Sequence, residues 1–504
     1  MPAYADPARP RLLIMTDIGG DPDDQQSMIR LMNYADEFRI VGLVATSAGT
    51  PGDNLPDPTP RTDLIQQIVN AYGQVRPNLV NYSASYPTAS ELSGVIAAGN
   101  RLRGLPNIGT GKSTAGSNLI ISAVDAASPD DPVNISIWGG ATELAQALHD
   151  VRATRTPDQT AEFLGRMRVH AIADQDATST QRGTGNWIQA EFPGLWYIES
   201  RDATGIGQSA PFRGMYQNQT RRQNNTGTAI NVVPSSLFGL VEKPWADANV
   251  VNNHGPLGAI YPTNVWRGPT GSAFPGNSAF NAHGVKEGDT PSWFYFLNNG
   301  LNIPDEPGFG GWGGRFKPTA TALFIPDTDA HPSRATDRSL GQVYTVARWR
   351  EAFQRDFQAR MDWNVAGAQG NRAPVSPLGA FEYTSVVAPP DRPVELSADG
   401  WTDPDGDPLN YSWWYYADPS SFNGDAAELN LLGTEALLTL LTPDVTDIVT
   451  LHLILEVTDT PEAGQVPLTR YQRFVVTVDP AAIPEPALGA TGLAALAVVR
   501  RRRR

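Results

Sequence analysis

The run MTDIGGDPDDQQSMIRL (residues 15–31) sets four aspartates within eight positions, directly after the apolar stretch Arg11–Met15. Like charges that close repel unless something offsets them, and a hard cation does so. The stretch before the loop is β-capable, and Met28, Ile29, Leu31 and Met32 after it fall at helical spacing. The carboxylates therefore stand between a strand and a helix, at the edge of an open α/β sheet where ligands bind. A cation held there would take oxygen from Asp17 and Asp24, because calcium prefers carboxylate and carbonyl oxygens whereas zinc prefers His or Cys. The chain has no Cys at all. A second reading is also open, in which the aspartates form a solvated turn that favours the N-terminus of the following helix.

A chain of 504 residues is expected to form two or three domains. Its formal net charge is −15, and the body is more acidic still once the run Arg500–Arg504 is set aside. Such a balance argues against nucleic-acid or anionic-membrane partners. From 11 to 367 apolar strand-like runs (RIVGLVAT, VNISIWGG) alternate with helical ones (DLIQQIVNAY, ELAQALHDV), the pattern of a mostly parallel sheet with flanking helices. Residues 368–378 read as a linker. Short alternating strands over 379–480 read as a small immunoglobulin-like β-sandwich.

The loop resembles the signature that opens the nucleoside hydrolase fold, with Asp17, Gly19, Asp23 and Asp24 in its positions. The wider run from Thr16 to Gly49 is similar to a secreted bacterial family of cellulose-binding proteins with a nucleoside hydrolase-like domain. The resemblance implies a calcium ion held by Asp17, Asp24, the Thr142 carbonyl and Asp289, with Asp17 as base and Asp23 in support. Thr142 and Asp289 each also read as simple helix N-caps. Over HAIADQDATSTQRGTGNWIQAEFPGLWYIES (170–200), Asp174, Asp176, Asn186, Trp187 and Glu191 are candidate substrate contacts, as is His254 farther on. Asp174, Asp176, Glu191, His254 and His283 are candidate general acids. Trp187, Trp196, Trp293 and Trp312 are candidate walls of a sugar subsite, or core residues.

Several positions depart from the nucleoside hydrolase pattern. Thr16 stands where a further Asp is usual, Thr50 and Pro193 where Asn is, and Gly288 where a His would protonate a purine. The cation and the water are kept while the nucleoside-specific contacts are lost. The expected activity is thus calcium-dependent cleavage of a glycosyl bond in a carbohydrate or ribosyl-like substrate, with a non-catalytic polysaccharide-binding role as the alternative. In the second domain, Asp403, Asp405 and Asp407 suit a tight turn or a cation, and Trp413–Tyr416 present both sheet faces.

Both ends read as processing signals. Residues 1–10 look like the remnant of a leader. Residues 481–504, with Pro484-Glu485-Pro486, an apolar run and terminal arginines, resemble the PEP-CTERM tail of exported Gram-negative proteins, which a membrane sorting protease reads and removes. The apolar run is short of the roughly 20 residues a spanning helix needs, so a transient anchor is expected.

Overall fold

The computed structural model describes residues 9–20, 22–49, 58–177, 183–201, 215, 221–223, 229–231, 234–263, 284–332, 338–367, 370–434 and 436–482. The expectations for the leader at 1–8, Thr50, His283 and the tail from 483 onward lie outside them. Among the described residues no helix is long and apolar enough to cross a membrane.

The chain divides into two compact units, Met1–Leu297 with Gly310–Gly370, and Asn298–Phe309 with Asn371–Arg504. In the first, β1 (Arg11–Thr16), β2 (Arg39–Ala45), β3 (Ile96–Ala98), β4 (Val133–Ile137), β5 (Met167–Ile172) and β6 (Tyr197–Ser200) run in sequence order along the chain. A separate antiparallel hairpin, β7 (Arg221–Gln223) with β8 (Ala229–Asn231), follows, and then β9 (Phe316–Pro318) and β10 (Leu323–Pro326). The large sheet is eight-stranded in the order β3-β2-β1-β4-β5-β6-β10-β9, parallel except for the β9–β10 pair. Strands covered on both faces are apolar throughout rather than alternating. β1 obeys this, with Leu12 to Thr16 all buried.

The strand order sets the site. From β1 the chain first builds outward through β2 and β3, then returns to the other side of β1 to lay down β4, β5 and β6. The carboxyl ends of β1 and β4 therefore flank the switch point where connections leave in opposite directions and a crevice opens. Asp17 follows β1 and Gly139-Gly140 follow β4.

The second unit pairs a four-stranded sheet, β11 (Thr384–Ala388), β17 (Thr469–Val478), β16 (Val449–Asp459) and β13 (Leu409–Tyr415), with a three-stranded one, β12 (Pro393–Ser397), β15 (Leu437–Leu441) and β14 (Leu432–Thr434). Val386, Leu396, Leu440, Leu453, Phe474 and Val476 fill its core. Trp413 packs on that core, 5.1 Å from Phe474, while its neighbour Trp414 sits beside Tyr416 at 5.3 Å. The segment Asn298–Phe309 belongs to this unit: the Asn299 carbonyl accepts from Tyr471 N at 3.1 Å, and Phe309 packs edge-on to His452 at 4.7 Å. The stretch expected as a linker is tied down as well. Asn371 donates to Asp459 at 3.0 Å, and the Arg372 guanidinium pairs with Asp405 at 2.7 Å. Asp403 Oδ1 accepts from the Asp405 and Asp407 amides at 2.8 and 3.2 Å, the self-closed turn that such aspartates favour.

Candidate metal centre and adjoining buried carboxylates

The loop after β1 is fixed by its neighbours before any ligand is considered. The Met15 carbonyl accepts from Trp138 N at 2.8 Å, Thr16 O from Thr46 N at 2.8 Å, and Asp17 O from Gly49 N at 2.7 Å. Gly19 turns the chain with φ +108°, a conformation that disfavours any side chain. Thr16, where the related pattern carries an Asp, donates its hydroxyl to the Asp24 carboxylate and accepts from Ile18 N at 3.2 Å. It orients a neighbouring carboxylate instead of adding another.

Asp23 and Asp24 open the helix Asp23–Asn33, and Asp289 precedes the helix Thr290–Phe294. These three offer carboxylate oxygens that lie within 4.8 Å of one another. Asp17, Asp24 and Asp289 are all buried. Asp289 makes no side-chain cap to its helix, and Thr142 is not the N-cap expected of it, because Ala141 holds that position and Thr142 is the first helical residue. Three carboxylates converging from positions far apart in the chain suit a hard divalent cation with oxygen ligands. That donor set fits calcium. Asp17 is not one of the three, and lies against Gly139, where an added Cβ would lie 2.5 Å from the Asp17 Cγ. Asp23 joins the cluster although the resemblance assigns it only a supporting part.

The second glycine of that turn backs a second carboxylate. A Cβ on Gly140 would overlap Asp176 Oδ1. Asp176 Oδ2 accepts from the Thr142 hydroxyl at 2.6 Å and from Thr184, and the Thr142 oxygen in turn accepts from Gly104 N at 2.8 Å. Asp174 takes both of its oxygens to the start of the helix Thr184–Glu191, accepting from Gly185 N and Asn186 N at 2.9 Å each and from Asn186 Nδ2 at 2.6 Å. Asn186 thus anchors Asp174. Glu143, Glu199 and Tyr197 are buried near these two carboxylates, and none of them stands out in the sequence. Burial raises the carboxyls of Asp176 and Glu199, and pushes Glu143 up to about 8, with Asp176 adding to the rise and the Asn100 amide opposing it. His170 beneath them is pushed down to about 3 by burial and is a neutral core residue.

Glu143 carries a pH prediction. Its folded pKa lies above its ordinary value of 4.5, so its contribution to stability is complete below that pH and is lost as pH rises through about 8. Glu143→Gln holds the neutral shape at every pH. Its melting temperature is expected to match the native protein's near pH 5 and to exceed it by several degrees near pH 9. Thermal melts at the two pH values check this, and equal differences at both would remove Glu143 as the buried proton store.

Other sequence-predicted residues lie elsewhere. Glu191 ends the helix whose second and third residues bond Asp174, so about 8 Å of helix separates it from that contact. It is exposed and pairs with Arg152 at 2.6 Å. Trp187 is half-buried under the same arginine, which lies 5.4 Å from its ring. His254 faces Asp362 at 3.1 Å, at the end of the helix Arg350–Asp362. Trp293 and Trp312 are fully buried in an aromatic cluster with Phe294, and Trp196 lies between Tyr295 and Phe324.

Comparison with known proteins agrees with this fold. A comparison with curated proteins returned no match. Among solved structures, a nucleoside hydrolase-related hypothetical protein from Saccharophagus degradans, described as associated with carbohydrate metabolism, is 30% identical, with a TM-score of 0.69 over 94% of this chain and 100% of that one. Residues 393–478 match the C-terminal domain of the cellulose-binding protein Sde0182. Residues 11–316 match the nucleoside hydrolase-like domain of cellulose-binding Sde182, and the chain therefore belongs to that family.

Proposed function

We propose that the protein is an exported, calcium-dependent hydrolase-like protein that cleaves a glycosyl bond in a carbohydrate or ribosyl-like substrate. The observation that carries this reading is the convergence of carboxylate oxygens of Asp23, Asp24 and Asp289 within 4.8 Å of one another. Asp23, Asp24 and Asp289 would hold the ion, with the Thr142 carbonyl as a further ligand by resemblance. A bound calcium supplies a Lewis acid that grips sugar hydroxyls and makes a water easier to deprotonate. Asp17, buried and pressed against Gly139, would by resemblance accept the proton from that water. Asp174 and Asp176 would line the sugar on the β5 side, where burial raises Asp176 and suits it to hold a proton.

A second reading, a polysaccharide-binding surface protein without turnover, is favoured by the matched family descriptions, which name cellulose binding for both segments. In either case the partner is a polysaccharide or smaller carbohydrate met outside the cell, with a sorting protease acting on the tail. The test is release of reducing sugar or free base from nucleosides, oligosaccharides and plant polysaccharides, with and without calcium, using Asp289→Asn as control. That variant is expected to lose about 100-fold or more in calcium affinity and with it the thermal stabilisation by calcium, about 2.7 kcal/mol where free calcium is about 100 times the native Kd. Turnover abolished in the variant supports hydrolysis. Calcium-dependent binding to insoluble glucan with no turnover in either protein supports the second reading.

A further inference from the structure

The acidic cluster contains a cation of its own. Lys286 Nζ lies 3.8 Å from Asp23 Oδ2, and the lysine is only 5% exposed. Its backbone is pinned: Lys286 N donates to Gln26 Oε1 at 2.5 Å, and Gln26 Nε2 donates onward to the Gly284 carbonyl at 2.9 Å. Gln26 stands in the same helix as Asp23 and Asp24, and Lys286 three residues before Asp289. The two backbone segments that deliver the carboxylates therefore also deliver the ammonium and hold it there.

We propose that Lys286 competes with the divalent ion for Asp23. Asp24 and Asp289 are then the permanent ligands, and Asp23 is an exchangeable one whose charge is shared with the lysine. Two observations set the difference between the carboxylates. The Thr16 hydroxyl donates to Asp24, whereas Asp23 faces the Lys286 ammonium in a water-poor setting. A lysine is a compact point charge whose field opposes any second cation nearby. The consequence is a deliberately weakened site, whose ion binds and leaves more readily than three unopposed carboxylates would allow, and whose third ligand is freed when the lysine claims it. This rests on the cation-binding reading given under Proposed function.

The test is a double-mutant cycle on calcium affinity, measured by calorimetry with the full chain and calcium chloride alone, using Lys286→Met, Asp23→Asn and the pair. Lys286→Met is expected to bind calcium about tenfold or more tightly than the native protein, which corresponds to about 1.4 kcal/mol. Asp23→Asn is expected to weaken the native protein less than about threefold and the Lys286→Met protein about tenfold or more. Native affinity that Lys286→Met leaves unchanged or weakens, or strictly additive effects, would overturn the competition while leaving the cation site standing. No calcium binding by any of the four proteins would remove the site itself. If Lys286→Met misfolds, Lys286→Gln, with its melting temperature recorded without ion, replaces it in the cycle. Binding by Lys286→Met but not by the native protein supports the competition in its strongest form, with the ammonium occupying the place of the metal.

Discussion

Gly140→Ala is expected to destabilise the first unit by about 3 kcal/mol or more, lowering its melting temperature by about 5 °C or more. The added Cβ would overlap Asp176 Oδ1, and that carboxylate has nowhere inexpensive to go. Turning away breaks its bonds from the Thr142 and Thr184 hydroxyls and leaves a buried polar group without them. Moving the backbone instead displaces the start of the helix Thr142–Thr154. The neighbouring Gly139→Ala acts on the other side of the same turn, against Asp17 at 2.5 Å from its Cγ, and is expected to weaken calcium binding more than Gly140→Ala does. Gly194→Ala is the control, because nothing lies within 4 Å of its added methyl, and a change within about 0.5 kcal/mol is expected. Thermal melts and calcium titrations of the three variants check the assignment. A Gly140→Ala protein as stable as the control would mean that Asp176 is loosely held.

The contrast between those glycines bears on what a sequence can reveal. Gly139 and Gly140 are legible as a turn between a strand and a helix, yet nothing in WGGATEL says that each leaves room for a carboxylate from a different strand. The aspartates after β1 are legible because local repulsion demands an explanation from eight consecutive positions. Asp289 needed the family pattern as well, since an Asp before Thr-Pro reads equally as a helix start. Glu143 and Glu199 were missed because a lone glutamate in a helix or strand looks solvated, and only the sheet packed over it makes it a buried acid. Lys286 was missed for the same reason. The tryptophans were ambiguous from the opposite direction: an aromatic run suits a sugar platform or a core, and the complete burial of Trp293 and Trp312 decides for the core. Glu191 is a candidate from its place in the run 170–200, which carries no helix direction: the beginning of its helix bonds Asp174 and its end does not. In the second unit, the alternating strands were legible as a sandwich, whereas the membership of Asn298–Phe309 depends on contacts with residues about 150 positions later, such as Tyr471 and His452.

The same long-range logic gives the other large effect. Arg30 and Glu287 form a fully buried ion pair between the helix that carries Asp23 and Asp24 and the segment that carries Asp289. Burial opposes the charge on Arg30, and the Glu287 carboxylate, with Tyr34 and Tyr261, overcomes it and raises the guanidinium above its ordinary value. Around the pair, Arg30 donates to Gln354 Oε1 at 2.6 Å and stacks over Phe357 at 3.8 Å, while Glu287 accepts from the Tyr261 hydroxyl at 2.5 Å and from Thr290 at 2.9 Å. Removing one charge from so enclosed a pair strands the other, at a cost of about 3–5 kcal/mol. Glu287→Ala is therefore expected to lower the melting temperature by about 5–8 °C. It is also expected to weaken calcium binding by about tenfold or more, because the helix and the segment that bring the three aspartates together lose the contact that sets their spacing. Arg30→Met with Glu287→Met leaves no stranded charge, and replacing both partners of a buried pair by apolar groups is often near neutral. The double variant should thus recover most of the stability lost by Glu287→Ala while keeping the weaker calcium binding if the ion pair itself sets the spacing. Melts and calcium calorimetry on the two proteins separate these effects. Calcium affinity that returns with stability would mean that packing around Phe357, rather than the ion pair, holds the three carboxylates in reach of one ion.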